Sequence, residues 1–103
     1  MLDLSDIIFE LIDNNLVNFK KKLAELIPKL IDCLERNEEA CIKNNVAELF
    51  YIISEFSGFL SKESFKRFAE LKKESARLAK YALSDERIRR MLISFFFGLL
   101  EET

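Results

Sequence analysis

From Leu4 to Leu100 the apolar residues recur three and four positions apart, with one Pro and two Gly to interrupt them. That spacing returns side chains to one face of an α-helix, which advances about 100° per residue. No stretch of four or more residues alternates apolar and polar as a half-buried strand does. So little Gly and Pro leaves room for few loops, all short. A chain of 103 residues is the size of one domain. The expected fold is all-α: an antiparallel helical bundle of about five helical segments, residues 1–103 forming a single domain.

The stripes give the segments. Leu4, Ile7, Ile8, Leu11 and Ile12 share one face, with Asp3 or Ser5 placed to cap it. Leu16, Phe19, Leu23, Leu26, Ile27, Leu30, Ile31 and Leu34 form a second stripe, out of phase with the first by about a quarter turn at 100° per residue. A break or sharp bend at Asn14-Asn15 accounts for the offset. Pro28 lies outside the apolar arc of that stripe, which runs through in phase, so a continuous helix with a kink is expected there, the alternative being an end near Ile27 and a restart with Pro28 in the first turn. Ile42, Val46, Leu49, Phe50, Ile53 and Phe56 make a third face, begun by an Asn37 cap and ended by Gly58. Ser61 caps a fourth segment that buries Phe65, Phe68, Leu71, Ala76, Ala79, Ala82 and Leu83, and Ser84-Asp85-Glu86 opens the last.

Several functions are disfavoured by what is missing. There is no His, hence no imidazole to act as acid, base or metal ligand. Two Cys outside a CxxC pattern make no zinc site, and no Gly-rich phosphate loop or serine elbow occurs. Neighbouring acids such as Glu38 and Glu39 point apart on a helix. No enzyme activity, metal or cofactor is expected. The first ten residues carry acids and no basic stretch, unlike a secretory leader. A cytoplasmic location follows as the expectation, with Cys33 and Cys41 as reduced, buried thiols. On one helix they would lie about 12 Å apart; a turn near Asn37 would bring them together.

The net charge is −2, which disfavours general binding to polyanions. The charge is unevenly spread. Residues 1–61 hold 6 Lys/Arg against 11 Asp/Glu, and residues 62–103 hold 10 against 7. Lys62, Lys66, Lys73, Arg77 and Lys80 fall within about 60° of one another on a continuous helix. They would form a rail about 27 Å long that could follow a phosphate backbone. Glu70 and Glu74 stand beside it, at the three- and four-residue spacings of a solvated, ion-paired face.

The segment RRMLISFFFGLLEE is the most apolar in the chain. Its ten residues Met91–Leu100 span about 15 Å as helix, half of a hydrocarbon slab, so no membrane crossing is expected. Leu92, Phe95, Phe96, Phe97 and Leu99 point in nearly all directions. A helix apolar all round needs cover on all sides. It is therefore expected either at the centre of the bundle or at a dimer seam. Ser94 and Gly98, four apart, would permit a close crossing in either setting. The candidate interface is Ser94, Phe95, Phe96, Phe97 and Gly98.

The stretch from Arg89 to Phe96 also resembles, in part, the docking peptides that bind sliding-clamp proteins. Leu92, Phe95 and Phe96 stand where those peptides carry an aliphatic residue and two aromatics, and Arg89 occupies the place of their Gln. The resemblance covers eight residues and implies, for these alone, docking onto a clamp.

The expected function is a small non-catalytic protein–protein interaction or scaffold module that associates with itself as a homodimer. The alternative is a small helical subunit of a nucleic-acid-binding assembly, touching backbone through Lys62–Lys80.

Overall fold

The computed structural model describes residues 3–103, and these are all helix and short connections. In order they are α1 (Leu4–Asp13), α2 (Val17–Arg36), α3 (Glu39–Glu55), a 3-10 turn (Ser57–Phe59), α4 (Lys62–Lys72), α5 (Ser75–Ser84) and α6 (Glu86–Glu102). The radius of gyration is 12.9 Å, as expected for a close-packed chain of this length.

α2 holds the middle. It buries Phe19, Leu23, Leu26, Ile27, Leu30, Ile31, Cys33 and Leu34 and packs against α3, α6 and α1. The helix runs through Pro28, which is exposed. A proline there removes one backbone hydrogen bond, and burial of the face on the other side of the helix outweighs that loss.

α2 ends at Asn37, in the left-handed region at φ 50°. The N–H of Glu38 donates to Cys33 O at 3.2 Å, closing a Schellman turn. Asn tolerates this conformation better than most residues because its short polar side chain bonds locally. Asn37 thus ends one helix rather than capping the next, for which Glu38 is the boundary residue.

The turn brings Cys33 and Cys41 to a Cα–Cα distance of 5.5 Å, and they are joined by a disulfide. This corrects the expectation of two reduced thiols: the tight left-handed turn reverses the chain within the eight residues that separate them. Asn45 Nδ2 donates to Cys33 Sγ at 3.2 Å and to Cys41 O at 2.8 Å. At the other end of the hairpin Lys22 pairs with Glu55 at 3.1 Å, and Phe19 meets Phe56 edge-on at 5.4 Å. α2 and α3 are therefore antiparallel and tied at both ends.

α1 starts in a capping box, Asp3 Oδ1 accepting from Asp6 N and Asp3 N donating to Asp6 Oδ2. It stops at the expected Asn14-Asn15 break, with Asn15 at φ 55°. Its inward face, Ile7, Ile8, Leu11 and Ile12, is buried.

The other side of α1 carries Glu10, which reaches the start of α4. Its carboxylate accepts from Ser61 N at 2.7 Å and from Ser64 Oγ at 2.6 Å. The carboxylate thus sits at a helix N-terminus, where the dipole favours negative charge. Ser64, only 2 % exposed, finds its partner there. Gly58 does not end α3 in a left-handed turn: no glycine has positive φ, and Phe56 caps the helix before a 3-10 turn.

The fourth segment is two helices. α4 stops at Lys72, and Lys73 and Glu74 form a turn before α5. α4 lies on α1, whereas α5 lies on α3 and α6. Phe68, Ala79 and Ala82 are buried as expected; Phe65 is half-exposed, lying to the side of the Ser64–Phe68 face of α4, and Ala76 is exposed.

Two outcomes follow. Burial alone would raise the Glu10 pKa; the bonds from Ser64 and from the N–H and hydroxyl of Ser61 outweigh it and hold the carboxyl below its ordinary value. The unfolded chain then takes up this proton first as pH falls. The contribution of Glu10 is present above its unfolded pKa of about 4.3 and is lost as pH drops through the folded value. Glu10→Gln should cost about 1–2 kcal/mol at pH 7 and flatten the acid limb of a urea-melt stability profile; an unchanged acid limb would contradict the latch. Separately, closing an eight-residue loop is worth about 2–3 kcal/mol through unfolded-chain entropy. Reductant should lower the denaturation midpoint accordingly, and Cys41→Ser should remove that response.

Candidate interaction surface

α6 begins at Asp85, whose carboxylate accepts from Arg87 N and Ile88 N, a firm N-cap. One side of the helix faces the protein: Phe96 and Leu99 are buried, and Leu92, Ile93, Phe95 and Leu100 are partly covered. These residues pack toward α2 and α5. Phe95 tilts against Phe96 at 5.4 Å and meets Phe9 edge-on at 6.4 Å.

The opposite side is open. Met91 is 64 % exposed and Phe97 50 %, and Ser94 and Gly98 are exposed between them. A methyl group added at Gly98 would meet nothing within 4 Å. The expectation that this helix has no wet side is therefore corrected. Within its own chain it is covered on one side only, since α2 occupies the centre. The Ser94–Gly98 pair makes no close crossing inside the bundle. Of the five candidate interface residues, Ser94, Phe97 and Gly98 share the open face, Phe95 lies at its edge, and Phe96 is in the core.

The burial of Phe96 also bears on the clamp-peptide likeness. Leu92, Phe95 and Phe96 are packed into the bundle here, so the residues that carry the likeness are not presented as a docking segment.

Beside the open face lies a groove of about 440 Å³ between the start of α1, α5 and α6. Leu4, Phe50, Leu78 and Leu92 line it, Tyr81 and Met91 stand on its rim, and its charged neighbours are Asp3, Glu74 and Arg77. Tyr81 is half-exposed. The groove is continuous with the α6 face through Met91 and Phe95.

The basic residues are less well assembled than a single helix would make them. Lys62 and Lys66 belong to α4, Lys73 to the turn, and Arg77 and Lys80 to α5. The bend at Lys73–Glu74 breaks the rail. Acids also intervene: Glu70 accepts from Arg67 at 3.0 Å, and Glu74 lies 3.7 Å from Arg77. All five cations are exposed. The turn was foreshadowed only by the polar run Lys72-Lys73-Glu74-Ser75, which leaves no large apolar residue between Leu71 and Leu78.

Among the described residues no helix is long and apolar enough to cross a membrane, and no group of three or more His, Cys, Asp or Glu is placed to hold a metal. No family model matches the chain, and neither does a curated protein or a solved structure.

Gly98 sits in a helix interior with open space around it, so its replacement is free of clash within the chain. Gly98→Ala should stabilise the protein by about 0.5–1 kcal/mol through helix propensity. Thermal melts at sub-micromolar concentration read this. A loss of stability there would mean that Gly98 is packed rather than open.

Proposed function

We propose that the protein is a non-catalytic interaction or scaffold module that associates with itself through the outer face of α6. The observation that carries this reading is the open apolar face: Met91 and Phe97 are more than one-third exposed on either side of Ser94 and Gly98, on a helix whose other side is core. Large side chains exposed singly are ordinary, but here Met91 and Phe97 flank small residues on one helix face beside an apolar groove, which suits an interaction surface. The proposal includes no cofactor and no membrane, and a cytoplasmic location. In that compartment disulfides are uncommon, and the Cys33–Cys41 link would be subject to the reducing pool.

A nucleic-acid role has weaker support. It would need the Lys62–Lys80 cations to act together, and they are divided between two helices with acids bonded among them. The salt dependence of oligonucleotide binding is the direct check on that alternative.

Light scattering after size exclusion tests the main reading. A dimer at tens of micromolar is expected, shifting toward monomer on dilution and in Phe97→Ser. A protein that stays monomeric throughout that range would remove self-association from the proposal.

A further inference from the structure

Resting on the reading of α6 as a self-association face, we propose that its partner is the same helix of a second copy, lying antiparallel, with Ser94 opposite Gly98. Charge decides the direction. On its open side the first turns of α6 carry Arg87, Arg90 and one acid, Glu86, while Arg89 turns inward to Ala82 O; the last turn carries Glu101 and Glu102, so the two ends differ in sign. Arg87, Arg90, Glu101 and Glu102 are all exposed. Glu101 and Glu102 take part in no ion pair among the described residues, and Arg90 is held only by Glu86 of its own helix at 3.0 Å. Parallel packing would set the basic turns side by side and the acidic turns side by side. Antiparallel packing sets each basic turn against an acidic one, at both ends of the seam. The helix dipoles favour the same direction.

The register follows from size. At about 100° per residue, Ser94 and Gly98 lie at the middle of the open face, with Arg87 and Glu101 close to the same line and Arg90 about 40° away. The backbones approach most closely where side chains are smallest, and the free space at Gly98 is where a neighbouring helix meets least resistance. With Ser94 opposite Gly98 of the second copy, each step back along one helix matches a step forward along the other. Arg90 and Met91 then stand opposite Glu102 and Glu101.

A two-fold axis across the seam carries each flank onto the same flank of the other copy. Phe97, about 60° to one side of Ser94, therefore comes to lie beside Phe97 of the second copy. Its half-exposed ring is covered by its own counterpart, and Arg90, on the same flank, approaches Glu101.

Cysteine pairing reads direction and register directly, since a disulfide forms only at Cα separations of about 4.4–6.8 Å. Ser94→Cys and Gly98→Cys proteins, mixed under mild oxidation, should give covalent dimers more readily than either alone. Parallel packing reverses this, each variant then pairing with itself. Charge reversal is the second arm. Arg90→Glu should weaken the dimer about ten-fold at low salt, and adding Glu101→Arg to the same chain should restore it. Gly98→Leu should yield a monomer that melts no lower than the parent monomer. Dimers that survive Gly98→Leu, or cross-link in the parallel pattern, would overturn the antiparallel seam while leaving self-association standing. A parent protein that is monomeric by light scattering would end both.

Discussion

The structure depends on the α2–α3 hairpin. Its two helices present apolar stripes to each other along their whole length, and they are held in register at both ends by different chemistry. At the turn end the Schellman bond from Glu38 to Cys33 fixes the reversal, and the Cys33–Cys41 link secures it. At the open end the Phe19–Phe56 contact lies beneath the Lys22–Glu55 pair. That pair is partly exposed and contributes little alone. The rings beneath it carry more, through buried area. With register fixed, α2 keeps two further apolar faces, and α1 and α6 are docked onto a surface already formed.

The remaining helices fit because the segment after Ser61 bends. A straight helix from Lys62 to Ser84 would be about 34 Å long, equal to the longest dimension of the whole molecule. The turn at Lys73–Glu74 lets α4 lie on α1 while α5 lies on α3 and α6. The α1–α4 contact is mainly secured by Glu10, whose carboxylate serves as a cap from outside the helix it caps. A polar latch suits that position: α4 buries only Phe68 and Ser64 fully, so there is little apolar area to set its angle.

Much of this fold was legible in the residues. The stripes identify the inward faces of α1, α2 and α3, and the offset between the first two locates the Asn14-Asn15 break. Ser61 and Asp85 start helices because their side-chain oxygens accept from N–H groups that a helix leaves unpaired. The partly legible features are those where two local signals compete. Asn37 suits a helix start and a left-handed stop equally well, and the choice depended on how the chain reverses. Lys73–Glu74 contains neither Gly nor Pro, and its bend answers to neighbours on different sides, which periodicity does not encode. The role of Glu10 leaves no local signal, because its partners lie more than fifty residues away. The basic residues of 62–80 were grouped by assuming a straight axis, and so were separated by the same bend.

The open face of α6 has a geometric origin. Three consecutive phenylalanines on a helix point about 100° apart and together sweep about 200°. A neighbour on one side covers Phe96, the edge of the bundle shelters Phe95, and Phe97 is carried past it into solvent. Covering Phe97 within one chain would need a further helix beyond those that α2 already has as neighbours. Among the described residues, α4 lies on α1 and α5 on α3 and the inner side of α6, so neither reaches this face. The apolar residue on the outer face is thus a surplus that this bundle cannot absorb. The antiparallel seam proposed above would cover it, setting the Arg87 and Arg90 end of one α6 against the Glu101 and Glu102 end of the other.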